Sequence, residues 1–307
     1  MTDSTPGSLA QVLQAGHFAM TAETSPPDAA SPDAVLQRVD CLKGVADAVN
    51  VTDGASARVH MSALAAAAIM VRAGIEPVLQ LTTRDRNRLA LQGDVVGASA
   101  LGIHNFLCLT GDKMAAGDQP DAAEVFEIDS GELMRQMRDM RDSGSFPSGR
   151  RIEPPPTLFL GAAEMPAEPG DKWPAARLQA KIDNGTQFFQ TQYCFDLDKV
   201  KRYCRGLVDD GFTEQAYFLI GIGPLASAKS ARWMNDNLFG VQVPDHIIAR
   251  LDGAAVQKAE GRAICAELLQ GMAEIEGCAG AHLMAPHQEA ACAQVIRESG
   301  LLELRRS

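Results

Sequence analysis

Residues 76–112 read EPVLQLTTRDRNRLALQGDVVGASALGIHNFLCLTGD. The stretch opens with a short apolar run, Pro77 to Leu81. It passes through a charged segment with helical character, Asp85 to Leu101, and closes with a second apolar run, Ile103 to Leu109. Two strand-like runs joined by a helix of that length form a βαβ unit, in which the strands lie parallel. In such units the polar residues just past the C-terminal ends of the strands face the ligand. Both runs end that way, in Thr82, Thr83 and Arg84 and then in Thr110, Gly111 and Asp112. The chemistry is expected there.

The same alternation extends in both directions. Upstream, His17 to Glu23 reads as a strand that stops at Thr24-Ser25-Pro26-Pro27, where proline ends the ladder. Ser31 to Asp47 has an amphipathic helical pattern behind a Ser31 cap and Pro32. Ala48 to Thr52 is a second strand ending on Asp53-Gly54, and Val59 to Ala73 an Ala-rich helix stopped by Gly74. Downstream, strands are expected at Thr157 to Ala162, Gln187 to Thr191, Ala216 to Ile222 and Gly280 to Met284. Helices separate them, at Ser130 to Arg141, Trp173 to Asp183, Asp196 to Asp209, two or three between Ser227 and Met272, and Gln288 to Ser299.

About eight β-then-α units in one unbroken series are what a (β/α)8 TIM barrel of the α/β class requires. No linker divides the chain, so residues 17–307 are expected to form a single barrel domain. Residues 1–16 form a polar leader with a short helix at Leu9 to Gln14. A dinucleotide-binding Rossmann fold is disfavoured. No GxGxxG follows the first strand, and Gly221-Ile222-Gly223-Pro224 comes late and lacks the third glycine.

Composition agrees with helices packed on a parallel sheet: 46% of residues are hydrophobic but only 5% aromatic. A net charge of −11 argues against a nucleic-acid partner, which needs clustered Lys and Arg. The seven cysteines are scattered, without CxxC or zinc spacing, as expected for core residues in a reducing compartment. The N-terminus does not read as a signal peptide, and the longest apolar run, Ala63 to Val71, is half a membrane span. The expectation is a soluble cytoplasmic protein with no membrane and no metal. The Ala-rich helix surfaces leave a homo-oligomer open.

Several residues compete for chemical roles. Glu23, at the end of the first strand, is either a proton donor among apolar groups at the barrel mouth or a surface carboxylate. Asp112 either accepts paired N–H groups of a heterocycle such as a pterin or starts a turn, with Gly111 allowing close backbone approach. Thr52-Asp53-Gly54 either contacts phosphate or ribose or is simply a turn. Arg84, Arg86 and Arg88 crowd a helix start, where cations oppose the macrodipole and call for an anion, from Asp85 or from a ligand. Gln190-Thr191-Gln192 offers amides to a ring edge, and Lys181 reaches toward an anion or toward water. His282 and His287 flank the last strand without a metal-binding pattern.

Taken together, TAETSPP at 21–27, VNVTDGASARVHMSALAAA at 49–67, QLTTRDRNRLALQGDVVGASALGI at 80–103, LTGD at 109–112, EVFEIDS at 124–130, QTQYCFD at 190–196 and GAHLMAPHQEA at 280–290 resemble the methylenetetrahydrofolate reductase family. They look closest to its branch with TCRDRNR and TGD…FDLDS segments. The resemblance runs from about residue 18 to residue 301.

It implies a (β/α)8 barrel that usually carries a flavin, FAD. Hydride passes from NAD(P)H to the flavin and then to the methylene group of the folate. By this resemblance Glu23 is the acid that opens the folate's five-membered ring, Asp112 the carboxylate on the pterin and near the flavin, and Gln192 a folate-contacting amide. Thr52, Gly111 and Lys181 fall where the family contacts the flavin. Gln80 and Thr110 stand there in place of a histidine and an arginine. Thr83, Phe126, Met165, Ser230 and Gln288 also depart from the family's polar residues. These departures leave FAD, FMN and direct transfer from NAD(P)H without flavin all open. A flavin-independent reductase and a non-redox folate-binding component of a methyl-transfer system are the alternative functions.

Overall fold

A computed structural model of the chain describes residues 8–170 and 173–304. Eight strands close into a barrel in sequence order: β1 (Ala19–Thr24), β2 (Ala48–Val51), β3 (Pro77–Thr82), β4 (Asn105–Leu109), β5 (Phe159–Glu164), β6 (Phe188–Tyr193), β7 (Tyr217–Ile222) and β8 (Gly280–Leu283). All eight neighbouring pairs, including β8 with β1, are parallel. The (β/α)8 barrel expected from the sequence is therefore the observed fold.

The first helix, α1 (Ser8–Gln14), has only 7 residues and is too short to be stable alone. It is held by packing: Leu9, Ala10 and Leu13 are buried against Ala19, Ala48, Val78, Leu107, Phe159, Phe188 and Leu219 from the barrel strands. Each large side chain buried there contributes about 1.5–3 kcal/mol. Of the segment expected as a polar leader, Leu9, Ala10 and Leu13 thus belong to this cluster; residues 1–7 lie outside the described residues. Within the cluster the rings of Phe159 and Phe188 stack at 5.0 Å. Gly161 makes room for Phe188, since a Cβ there would fall 2.3 Å from that ring.

The outer layer consists of α2 (Pro32–Val39), α3 (Ala63–Arg72), α4 (Arg88–Ala100), α5 (Ser130–Ser143), α6 (Ala175–Asp183), α7 (Leu197–Asp209), α8 (Ala228–Asn237), α9 (Asp245–Gly253), α10 (Gln257–Ala273) and α11 (Glu289–Glu298). Three helices, α8 to α10, fill the connection from β7 to β8. Two expected helices are shorter. The one predicted over 31–47 stops at Val39 and gives way to a 3-10 turn at Asp40–Leu42, and Ser31 makes no side-chain cap. The one predicted from Asp85 starts at Arg88, because Asn87 caps it by accepting from the Ala90 N–H at 3.1 Å. In both cases tertiary contacts and local hydrogen bonds override the periodic pattern.

No described helix is long and apolar enough to cross a membrane. All seven cysteines are free, and all but Cys41 are buried. Burial pushes the thiols of Cys108 and Cys292 up to about 12. Since the thiolate is the reactive form, a thiol reagent at pH 8 should titrate Cys41 first and the other six only after denaturation. Cys41→Ser should remove the early reaction. Rapid labelling of several thiols in the native protein would contradict the packing described here.

Candidate active site at the C-terminal mouth

Above the apolar floor the inward positions of the strands turn polar. Asn50 on β2 and Gln190 on β6 exchange two hydrogen bonds across the barrel: Asn50 Nδ2 donates to Gln190 Oε1 at 2.6 Å, and Gln190 Nε2 donates to Asn50 Oδ1 at 3.0 Å. Gln190 Nε2 also donates to Thr21 Oγ1 at 3.1 Å. The Thr21 hydroxyl lies 3.4 Å from the Ala281 carbonyl and 3.0 Å from His282 Nδ1, which also lies 3.4 Å from Gln190 Nε2. His282 Nε2 stands 3.6 Å from Glu23 Oε2. His282, expected to flank the last strand, lies inside β8 and is buried.

Glu23 stands on β1 one step above Thr21, with 22% of its side chain exposed. Gln80 on β3 donates to Glu23 Oε2 at 2.8 Å. Gln80, expected at the cofactor, thus orients the candidate acid. Glu23, Gln190, Gln192, His282, Glu164, Arg177, Lys181 and Phe239 all line one cleft of about 680 Å3 at the mouth. Gln192 sits where the pairing of β6 with β7 shifts register, an irregularity that re-aims a side chain at a strand end.

The other expected site residues are distributed around the rim. Lys181 on α6 reaches the cleft and shares a second, smaller one of about 200 Å3 with Thr110, Ser130, Gly131 and Asn184. Thr110 bonds Ser130 there at 3.2 Å. Thr52 is buried and donates to Ser25 Oγ at 3.0 Å. Gly111 has a φ of +94°, and a Cβ there would lie 3.2 Å from Arg84. Asp112 is on the exposed loop after β4, outside the lining of the cleft that holds Glu23; its carbonyl accepts from Arg84.

The three arginines expected to call for an anion, from Asp85 or from a ligand, find their partners within the chain. Arg84, only 2% exposed, forks onto both oxygens of Asp85 at 2.7 and 2.8 Å and also reaches the Gly54 carbonyl. The Asp85 hydrogen bonds hold the Arg84 guanidinium above its usual range. Arg86 pairs with Asp53 and Asp94, and Arg88 with Glu127. Asp53 also accepts from the Thr82 N–H at 2.8 Å, so Asp53 and Arg84 tie the loops after β2, β3 and β4 together. The polar loop of residues 113–129 packs onto this clamp, not over Glu23: Gly117 lies against the Ala57 carbonyl, and the Val125 N–H donates to the Arg84 carbonyl. Ser230 closes a capping box with Ser227 at the start of α8.

Sequence reasoning passed over Glu164. It ends β5 with a side chain only 1% exposed, and both Arg177 and Lys181 bond it. The signal was available in retrospect: Arg177 and Lys181 are spaced i, i+4 on the helix that follows a strand ending in Glu.

Known proteins resemble the chain in sequence and in fold. The sequence profile described as methylenetetrahydrofolate reductase matches residues 8–300. A Caenorhabditis elegans protein named probable methylenetetrahydrofolate reductase (NADPH) is 24% identical over 256 residues, covering 80% of this chain. The chain spans about a third of that relative's length, 36%. Among solved structures, an uncharacterized protein from Clostridium thermocellum that binds two copies of 5-methyl-5,6,7,8-tetrahydrofolic acid superposes with a TM-score of 0.61. It is 13% identical, with 95% of this chain and 99% of that chain covered. Mycobacterium tuberculosis tryptophan synthase gives 0.51 at 12% identity, with 98% of each chain covered. At such identities the structural likeness speaks to the barrel alone.

Proposed function

This chain belongs to the methylenetetrahydrofolate reductase family, and we propose that it interconverts 5,10-methylene- and 5-methyltetrahydrofolate. The observation that carries the proposal is a carboxyl group, Glu23, oriented by Gln80 within a cleft whose other polar groups include amides from β6. In the reductive direction, Glu23 gives its proton to N10 of the folate. The bond from N10 to the methylene carbon breaks, and an N5 iminium receives the hydride. With Gln80 holding Oε2, Oε1 is the oxygen left to face the substrate. Gln192 offers a donor and an acceptor to the amide-like edge of the pterin. The polar layer beneath fixes the height of the ring against Glu23, and such positioning is a large share of the barrier reduction.

The residues fit a flavin nucleotide by their donor chemistry. The small cleft offers the hydroxyls of Thr110 and Ser130, the amide of Asn184 and the Lys181 ammonium for phosphate and ribose, and it meets the main cleft at Ala163 and Lys181. Lys181 donates to the Ala163 carbonyl and to Glu164, which leaves one of its three protons for a ligand. When bound, a flavin would take hydride from a nicotinamide and deliver it to the folate carbon. In this reading Thr110 and Lys181 would hold it, with Gln80 and Gly111 at the ring side. Thr52 supports the loop beside them, and Asp112, on the exposed loop after β4, is the carboxylate that the resemblance sets near the pterin and flavin.

The test is the visible spectrum of the purified protein before and after anaerobic addition of 5-methyltetrahydrofolate. A flavin band that bleaches on addition supports the proposal with flavin. A colourless protein that oxidises NADH or NADPH only when 5,10-methylenetetrahydrofolate is present, at a rate unchanged by added FAD or FMN, supports the flavin-independent form. Folate binding without turnover by any donor would overturn it in favour of a non-redox binding role.

A further inference from the structure

The Glu164 cluster is larger than its structural task needs. Lys181 alone would neutralise the buried carboxylate, with a 2.9 Å contact to Oε2. Arg177 adds a second cation on Oε1, so two positive charges stand on one negative charge. Arg177 also lies in the first turn of α6, whose N-cap is Pro174 and where the helix dipole already opposes a cation. An arginine placed there, with 57% of its side chain open, lining the cleft and facing a local excess of positive charge, is set for an anion. Glu164 supplies what a free arginine lacks. Through Nη2 it holds the guanidinium at the wall of the cleft, with further N–H groups for a partner. In a chain of net charge −11, such a local cation is what an anionic ligand requires.

We propose that Arg177, backed by Lys181 and pinned by Glu164, is the subsite for the anionic end of the substrate in this cleft. The ligand group is a carboxylate of a folate's glutamyl tail or a phosphate of a dinucleotide hydride donor. This rests on the functional reading above for the choice of ligands, though not for the anion itself. Arg177 is a specificity-determining residue here, separate from the acid chemistry of Glu23.

Equilibrium binding to wild-type, Arg177→Ala and Arg177→Lys protein tests it, with thermal melting run alongside. The probes are 5-methyltetrahydrofolate, the same molecule without its glutamate, NADH, NADPH and inorganic pyrophosphate. Loss of a charge-assisted hydrogen bond should weaken the engaged ligand by roughly 10- to 100-fold in Arg177→Ala, with most of the affinity kept in Arg177→Lys. If the glutamyl tail is the partner, only the intact folate weakens and the truncated folate binds all three proteins alike. If phosphate is the partner, the dinucleotides and pyrophosphate weaken instead. Equal affinities in wild type and Arg177→Ala for every probe would overturn the subsite, as would an equal loss for the truncated folate, which marks a structural role. Should Arg177→Ala melt early, Arg177→Gln carries the same comparison. A wild-type protein that binds neither folate nor dinucleotide defeats the functional reading alone; pyrophosphate binding lost in Arg177→Ala then still upholds the anion subsite.

Discussion

Glu23→Gln is expected to lower folate turnover by about 100- to 10,000-fold, the usual worth of a positioned general acid. The substitution keeps the shape of the side chain. The carbonyl of the new amide can still accept the bond that Gln80 makes to Glu23 Oε2 at 2.8 Å, and His282 at 3.6 Å meets a neutral group. Only the transferable proton is lost. Affinity for 5-methyltetrahydrofolate, measured directly, should therefore change little, and the far-ultraviolet circular dichroism should match wild type. Turnover within about tenfold of wild type would remove Glu23 from the proton-transfer role. A parallel loss of folate affinity would recast it as a binding residue. Arg177→Ala should show the opposite pattern, acting on affinity and sparing the proton transfer.

The polar layer below Glu23 should show the second large effect. In Gln190→Leu, the reciprocal pair with Asn50 disappears and both polar ends of the buried Asn50 amide lose their partner, along with one donor to Thr21. Each buried group left unsatisfied costs about 1–3 kcal/mol, so a loss of roughly 3 kcal/mol is expected, a sizeable fraction of a typical total of about 5–15 kcal/mol. The double variant Asn50→Leu with Gln190→Leu removes more hydrogen bonds yet should recover at least about 1 kcal/mol, because no Asn50 amide remains stranded. Urea unfolding midpoints of wild type, the two single variants and the double variant measure this. A double variant less stable than Gln190→Leu would mean that the amide pair contributes net stability beyond satisfying itself.

Much of the mouth was legible from strand ends alone. Glu23 and Gln192 were expected at the rim because a polar residue that terminates an apolar run has few structural reasons to be there, and both line the cleft. Lys181 was found by the resemblance, but its partner Glu164 was not, since a Glu at the end of β5 looks like any rim carboxylate until Arg177 and Lys181 fold over it. The partners of the arginines after β3 were open for the same reason. The arginines' place against the helix dipole called for an anion from Asp85 or from a ligand; Arg84 takes Asp85, while Asp53, Asp94 and Glu127 pair with Arg86 and Arg88. That Gln80 also bonds Glu23 Oε2 was visible only once β1 and β3 were brought together.

The amino-acid sequence by itself determined the alternation of strands and helices, hence the parallel barrel and the rim at which side chains meet a ligand. Those features follow from periodicity and short connections, which are local. Pairings among polar side chains were decided by the tertiary structure. Asn50 meets Gln190 across 140 positions of sequence, and Thr21 meets His282 across 261. Closing eight strands brings these groups within hydrogen-bond reach inside a medium with little water, where each must find a partner. Which partner it finds depends on register and depth in the barrel, and no local pattern carries that information.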